Sequence, residues 1–426
     1  MGKISRLSPE LASQIAAGEV VERPASAVKE LVENALDAGA RRITVVIEFG
    51  GKKLIRVEDD GEGMTAADAV LALERHATSK LGRLEDLSTI STLGFRGEAL
   101  PSIASISRLT LRTRARGARH GTELGVDGGD RRQVKEVGMS EGTVVDVADL
   151  FFNVPARRKF LKSDGAESSQ VSRVVTQLAL AYPEVGFTLT SRGRRLLQCP
   201  PVGKLEERFF QLYGDRPDLV EVRKEAAGIR IVGFVAALAD HGPSRGPQNI
   251  FVNRRVIKDR TLAHAIHEAY SHASIKPRNP EVHLFIDLPP DRVDVNVHPT
   301  KAEVRFLEQS LMHELLRRAL GEALGQPTSA PMPARAPQSA SREPSARSIP
   351  GVVSGTEAAS RWSDVTDVFR RTDSSTVSAS VAGLASVVRD GAEVGAPQPA
   401  AGGVGQPLIP LGQFRDTFIV AVDNDG

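Results

Sequence analysis

The feature that most limits the fold of this chain is a long segment, residues 327–405, without any repeating apolar face. Ala, Ser, Pro and Gly dominate it, as in the stretch PTSAPMPARAPQSASREPSARSIPG that begins at Pro327. Such a segment cannot bury enough apolar surface to offset the entropy lost on ordering. The sequence therefore predicts a folded body, then a disordered linker, then a short strand-forming end. We expect that end, residues 406–426, to be the start of a further domain.

The composition limits what the folded body can contain. Aromatic residues make up 4% of the 426 residues, so the cores must be built from Val, Leu, Ile and Ala. The single cysteine, Cys199, excludes an internal disulfide framework and a CxxC metal site. The net charge of +2 disfavours a surface that is basic all over, but is compatible with a local basic patch. No apolar run reaches the ~18 residues of a membrane span, so we expect a cytoplasmic protein with no membrane partner.

The body divides into two predicted domains of mixed α+β class. Residues 1–210 alternate helical and strand patterns around long polar loops. Residues 211–326 contain the strand patterns IRIVGFVAAL, NIFVNRRVI and EVHLFIDLP, the helix pattern TLAHAIHEAYSH, and a final helix from Gln309 to Leu324. This order of strand and helix patterns is typical of a compact α+β domain in which helices pack against a sheet.

The clearest local signal is an amphipathic helix that starts at Pro24 and stops at Gly39. Its apolar face consists of Val28, Leu31, Val32, Ala35 and Leu36. Glu30, Asn34 and Asp37 cluster on the opposite face. They are either a solvated polar surface or a set that lines a pocket, activates a water molecule and holds a hard cation. The helix alone does not decide between the two.

A second signal lies where a predicted strand over residues 54–57 ends. Asp59 follows the strand, and Gly61 and Gly63 follow Asp59. The carboxylate can accept a hydrogen bond from a purine amino group, and the glycines let a ring approach closely. The alternative is a plain acidic turn. Farther along the chain, Gly142 and Thr143 start another predicted strand that could close the floor of a pocket.

A third signal is a glycine-rich segment before a helix that begins near Glu98. Its residues are Gly94, Phe95, Arg96, Gly97 and Glu98. Backbone N–H groups at such a helix start can bind an anion, although an ordinary loop-to-helix junction has the same pattern. The upstream sequence ERHATSK adds Thr78, Ser79 and Lys80 as polar groups. There is no GxxxxGK[ST] motif, so any ATP site is not of the Walker type.

Histidine spacing provides no comparable signal. His264, His267 and His272 fall in one helical region, but no carboxylate triad joins them in the sequence. We therefore interpret them as surface or partly buried histidines rather than as a metal site.

These pieces occur in an order that resembles the GHKL ATPases: Glu30-x-x-x-Asn34, Asp59-x-Gly61-x-Gly63, GFRGEAL, and Gly142-Thr143. The surrounding sequence is similar to the MutL family of DNA mismatch-repair proteins over about residues 5–320. The segments that carry this resemblance are QIAAGEVVERPAS, LVENALDAGA, ERHATSK, LGFRGEAL, NVPARRKFLK and VDVNVHPTKAEVRF.

The resemblance implies a fold, a cofactor pair and a set of roles. The fold would be a GHKL, or Bergerat, ATPase α/β sandwich followed by a ribosomal-S5-like α+β transducer domain. The activity would be slow ATP hydrolysis with Mg²⁺. Catalysis would use Glu30 as general base and Lys301, which reaches the γ-phosphate from the second domain. Asn34 would hold Mg²⁺, and Arg260 matches a position that contacts DNA.

Nucleotide contacts follow from the same resemblance. The residues implied are Asn34, Asp37, Asp59, Gly61, Gly63, Thr78, Ser79, Lys80, Gly94, Phe95, Arg96, Gly97, Glu98 and Thr143. Those in the 74–80 and 93–98 segments would form a lid over the phosphates.

The implied function is an ATP-dependent switch and DNA clamp that couples mismatch recognition to downstream repair in the bacterial cytoplasm, at the nucleoid. Its partners would be DNA, the mismatch-recognition protein MutS, a downstream nicking endonuclease or helicase, and a second copy joined in an ATP-induced N-terminal dimer through residues 5–20. The alternatives are a nucleotide-binding clamp without turnover and a type II topoisomerase subunit. The resemblance also implies that residues 406–426 are the start of a truncated C-terminal dimerisation domain. Endonuclease activity of a longer protein stays open.

Overall fold

A computed structural model of the chain describes residues 17–18, 20–80, 92–94, 96–238, 246–271, 279–294 and 304–325, and two strands within residues 409–422. The predicted linker, residues 327–405, lies outside the described residues. So do Phe95, Lys301 and the predicted dimer segment up to residue 16.

Nine strands of the described residues form one mixed sheet. They are β1 (Arg42–Glu48), β2 (Leu54–Asp59), β3 (Arg108–Arg114), β4 (Gly121–Asp127), β5 (Asp130–Arg131), β6 (Lys135–Val137), β7 (Gly142–Ala148), β8 (Gly186–Ser191) and β9 (Arg194–Cys199). Their spatial order is β5–β4–β3–β7–β2–β1–β8–β9, with β6 beside β4. β1 and β8 run parallel, whereas the other neighbours are antiparallel.

Helices pack against one face of this sheet. They are α1 (Pro24–Asp37), α2 (Ala66–Leu71), α3 (Ala99–Ser105) and, after a short helix α4 (Pro155–Phe160) that buries none of its own residues, α5 (Asp164–Ala181). Every second residue of β1 and β3 is buried, because alternate side chains of a strand point to opposite faces. The buried side chains meet α1, α3 and α5 in one core. That core is almost entirely aliphatic, with Phe151 and Phe187 as its fully buried aromatic residues, as the composition predicts.

A second sheet of five strands follows. It contains β10 (Leu219–Ala226), β11 (Ile229–Ala236), β12 (Gln248–Val252), β13 (Arg255–Ile257) and β14 (Val282–Asp287), in the order β10–β11–β14–β12–β13. Two short strands, β15 (Val293–Asp294) and β16 (Arg305–Phe306), pair beside it. The helices α7 (Arg260–Ser271) and α8 (Gln309–Ala323) pack against each other and share the core of this sheet. The Asp259 side chain starts α7 by accepting a hydrogen bond from Leu262 N at 2.9 Å.

One helix, α6 (Leu205–Tyr213), connects the two sheets along the sequence, after β9 and before β10. Its Phe209 is buried with Leu180 and Ala181 of α5 and with Phe251 of β12. The two sheets therefore share a small apolar core. The predicted domain boundary at residue 210 falls inside this helix.

Toward the end of the chain, β17 (Ile409–Phe414) and β18 (Phe418–Val422) form an antiparallel hairpin. The strand pattern expected there is confirmed. Within the described part of the chain, no helix combines the length and the apolar character that crossing a bilayer requires.

Candidate functional site

Residues from separate motifs meet around one cavity of about 970 Å³, which opens between α1, the end of β2 and the segments 76–80 and 92–101. The predicted residues that line it are Glu30, Asn34, Asp37, Asp59, Gly63, Thr78, Ser79, Lys80, Gly94, Arg96, Gly97, Glu98 and Thr143. The polar face of α1 is thus one wall of a pocket rather than a solvated surface. Each motif is ambiguous alone, and only the fold brings them together.

Asp59 forms the floor of the cavity. In the sheet it lies between Ile43 of β1 and Thr143 of β7. Its Oδ1 accepts a hydrogen bond from Gly61 N at 2.9 Å, and the Thr143 amide also donates to the carboxylate. Burial raises the pKa of Asp59 to about 6, although these two amides lower it. A buried carboxylate with spare acceptor capacity suits a ligand that offers an N–H donor.

The backbone beside Asp59 requires glycine at position 142. Gly142 has a φ of +116°, and a Cβ there would lie 2.1 Å from the carbonyl oxygen of Asp59. Next to it, Thr143 Oγ1 lies 3.0 Å from Thr113 Oγ1. Thr113, which the sequence analysis missed, also accepts a hydrogen bond from Met64 N at 2.9 Å. These bonds tie β3 and β7 to the loop that carries Gly63.

The ammonium group of Lys80 lies among side-chain oxygen atoms of α1. Lys80 Nζ donates to Asn34 Oδ1 at 2.9 Å and to Asp37 Oδ2 at 2.6 Å. An amide oxygen and a carboxylate are ligands that Mg²⁺ prefers. The residues present therefore fit a hard divalent cation, which would take the place of the Lys80 ammonium group.

Glu30 belongs to a cluster of acidic and basic side chains on α1. Lys29 Nζ is 2.7 Å from Glu33 Oε1 and 3.7 Å from Glu30 Oε1. Burial by itself would lower the pKa of Lys29, but the two glutamates raise it above its ordinary value. The cluster keeps Lys29 charged and orients the Glu30 carboxylate at the cavity wall. Lys29 and Glu33 were missed because their spacing on the helix is that of an ordinary i,i+4 pair.

The turn at residues 92–94 is held from both sides. The amides of Leu93 and Gly94 donate to the carboxylate of Asp37 at 2.9 Å and 3.0 Å. On the other side Arg255 of β13 donates to the carbonyl oxygens of Thr92 and Leu93, the latter at 3.2 Å. Arg255 is only 8% exposed. The second sheet thus contacts the cavity through a buried guanidinium that no local pattern indicated.

The 76–80 and 96–98 segments also touch. Gly97 has a φ of +63°, and a Cβ there would lie 2.4 Å from the carbonyl oxygen of Ala77. His76 Nδ1 lies 3.5 Å from Glu98 Oε1. The two predicted lid segments therefore form one wall, and glycine is required where their backbones meet.

Four predicted residues are not among those that line the cavity. Gly61 is not among the residues that line the cavity, and acts on it through its hydrogen bond to Asp59. Phe95 and Lys301 are outside the described residues. Arg260 is exposed at the start of α7 and does not line the cavity.

Two parts of the chain match known families. Residues 22–142 match the histidine kinase-, DNA gyrase B- and HSP90-like ATPases. Residues 213–325 match the C-terminal domain of DNA mismatch repair proteins. The first match spans most of the cavity, and the second spans the five-stranded sheet.

The DNA mismatch repair protein MutL of Koribacter versatilis is 41% identical over 477 residues, which cover 100% of this chain and 74% of that protein. The chain belongs to the MutL family. The MutL proteins of Acidobacterium capsulatum and Geobacter sulfurreducens are 48% and 51% identical over 343 and 315 residues. The chain spans 52% of the length of each of these two, about half of the MutL relatives that they represent. The predicted family is confirmed.

Solved structures agree with this family. The ATPase domain of Aquifex aeolicus MutL in complex with ADP is 32% identical, with a TM-score of 0.51, and the match covers 70% of this chain and 98% of that one. The N-terminal domain of a DNA repair protein is 25% identical with a TM-score of 0.64, covering 74% and 98%. The mixed α+β class and the GHKL ATPase fold predicted from the sequence are confirmed.

Proposed function

We propose that this chain is an ATP-dependent switch in DNA mismatch repair, working at the nucleoid in the bacterial cytoplasm. The observation that carries the proposal is the cavity itself. Asp59, a carboxylate that would accept a hydrogen bond from a purine amino group, lines the same cavity as Glu30 and as Asn34 and Asp37, which contact the Lys80 ammonium group. The similarity to a MutL ATPase domain that holds ADP supports the same assignment.

We assign each residue of the site a role that follows from the chemistry of its side chain. Asp59 accepts a hydrogen bond from the adenine amino group, and the glycines beside it admit the ring. Asn34, with Asp37, would hold Mg²⁺, which neutralises charge on the phosphates. Thr78, Ser79, Lys80 and the segment 94–98 surround the phosphates, and Lys301 adds a charge at the γ-phosphate. Phosphoryl transfer to water needs positioning and charge neutralisation above all.

Glu30 is the residue that makes the cavity an enzyme rather than only a nucleotide clamp. Its carboxylate lines the cavity, in which Asn34 and Asp37 contact the Lys80 cation. It therefore orients the attacking water and accepts its proton. Hydrolysis is slow and serves to time the switch.

ATP binding orders the lid and brings two N-terminal halves together around DNA, which links MutS to a downstream nicking endonuclease or helicase. The test is the molar mass of the purified chain by light scattering. We expect a monomer without nucleotide, and a dimer with Mg²⁺ and a non-hydrolysable ATP analogue, because γ-phosphate contacts order the lid segments. Asp59→Asn should stay monomeric under both conditions. A stable dimer without nucleotide, or a monomer with the analogue, would contradict the proposal.

DNA binding should depend on exposed charge at the start of α7. Arg260→Glu should weaken DNA binding and reduce its salt dependence, because each lost phosphate contact removes about one unit from the salt slope. ADP affinity should be unchanged. The measurement is fluorescence anisotropy with a labelled duplex from low to high salt. Arg194→Glu makes the same charge change at an exposed position of β9 and is the control. Equal weakening of DNA binding in both variants would contradict a specific role of Arg260 in DNA binding.

Arg255 should matter for turnover more than for adenine binding. Arg255→Ala leaves the carbonyl oxygens of Thr92 and Leu93 without their buried donor, which typically costs about 1–3 kcal/mol. We expect reduced hydrolysis and a lower Tm, with ADP affinity changed little, because Asp59 is untouched. Arg254→Ala alters the neighbouring exposed arginine, whose partner is Glu184, and should behave like the parent. Parental turnover in the Arg255 variant would refute this role.

A further inference from the structure

Three potential metal ligands meet where α7 and α8 pack together. His264 and Glu268 lie one turn apart on α7, and His313 projects from α8. His264 Nδ1 is 2.9 Å from His313 Nε2 and 3.9 Å from Glu268 Oε2. His313 Nε2 is 3.3 Å from that same Glu268 oxygen. Two ring nitrogens and one carboxylate oxygen therefore face a single point.

These separations match the spacing of ligands around a small metal ion. Tetrahedral bonds of about 2.0–2.2 Å place ligand atoms roughly 3.3–3.5 Å apart. The three measured distances, 2.9, 3.3 and 3.9 Å, are centred on that value. A hydrogen bond between the two histidines explains only the shortest of these distances. It does not explain why one oxygen of Glu268 lies near both rings.

We propose that His264, Glu268 and His313 form a binding site for a divalent transition-metal ion, with Zn²⁺ as the best match. Imidazole and carboxylate ligands suit Zn²⁺, and two histidines with one glutamate form a ligand set that zinc proteins use. The side chain of His264 is 72% exposed, so water completes the coordination. The site is distinct from the nucleotide cavity, none of whose lining residues it shares.

Charges around the site regulate how tightly it binds. Arg317 Nε lies 3.9 Å from the other oxygen of Glu268, Oε1. Glu314 is engaged by Arg317 at 2.9 Å and by Arg318 at 2.5 Å. The neighbouring positive charge predicts moderate rather than very tight binding.

A bound ion would join α7 to α8. These helices pack on the five-stranded sheet, and the ligands come from both of them. Metal binding should therefore stabilise this part of the chain whether or not nucleotide is present.

The test is titration of the untagged, chelator-treated chain with Zn²⁺ in a calorimeter, and with Co²⁺ in an absorption cell. We expect one Zn²⁺ per chain, visible d–d absorption from Co²⁺, and a Tm that rises with free Zn²⁺. His313→Ala and His264→Ala should each weaken binding by at least ~10-fold, since even indirect support of a ligand is worth ~10–100-fold.

His267→Ala is the matched control. His267 lies on the same helix, but its ring faces Ser271 at 3.2 Å, and its loss should leave Zn²⁺ affinity unchanged. His264 is exposed, so its variant should fold, which the unliganded Tm verifies. No saturable Zn²⁺ binding, or equal affinity in the parent and the His264 and His313 variants, would overturn the proposal.

Discussion

Glu30→Ala is expected to bind ATP with about the affinity of the parent chain but to lose hydrolysis. The carboxylate lines the same cavity as Asn34 and Asp37, which contact the Lys80 cation. Removal of a general base typically costs about 10²–10⁴-fold in rate. Steady-state phosphate release measures turnover, and calorimetry with a non-hydrolysable analogue measures binding.

Glu62→Ala is the matched control for this experiment. Glu62 also borders the cavity, but its side chain is exposed and lies near the floor rather than on α1. We expect its loss to leave turnover within a small factor of the parent rate. Parental turnover in Glu30→Ala, or equal loss in both variants, would exclude Glu30 as the general base.

Asp59→Asn is expected to abolish measurable adenine nucleotide binding. The change replaces a carboxylate, which only accepts hydrogen bonds, with an amide whose NH2 group donates them. The adenine amino group, itself a donor, then faces another donor. Because burial disfavours the charge of Asp59, the neutral amide should not lower the Tm of the free chain. Calorimetry with ADP and with GDP measures both the loss and the change in preference. Unchanged ADP affinity would place the purine elsewhere.

The same carboxylate should make nucleotide binding sensitive to pH. The pKa of Asp59 is raised to about 6, and the ionised form is the one that accepts from adenine. Affinity should therefore fall as the pH drops through that value, by about tenfold between pH 7 and pH 5. Asn34→Ala retains Asp59 and should show the same dependence at weaker affinity. A parent affinity independent of pH over this range would refute the proposed contact.

The parts of the site that were predicted from the sequence share one property, which is a short-range pattern with a physical cause. The 3.6-residue period of α1 separates its apolar face from Glu30, Asn34 and Asp37. A strand that ends in an aspartate and two glycines marks the floor at Asp59. Such signals need no knowledge of distant residues, so the pocket wall and floor could both be found.

The contacts that were missed join distant segments of the chain. Lys80 bridges Asn34 and Asp37, which precede it by 46 and 43 positions. His313 reaches His264 across 49 positions, which is why the histidines on one helix gave no metal signal. In both cases helix and loop packing, and not spacing along the chain, brings the ligand atoms together.

By itself the sequence predicted the helix that carries Glu30, Asn34 and Asp37, the strand that leads to Asp59, and the main strands and helices of the second sheet. Only the tertiary structure decided which of the chain's many charged residues take part. Arg254 and Arg255 show the reason most clearly. They are adjacent and identical, but Arg254 lies in the turn before β13, with a φ of +65°, whereas Arg255 is the first residue of the strand. The fold of the second sheet leaves Arg254 exposed and buries Arg255 against a turn 162 positions away.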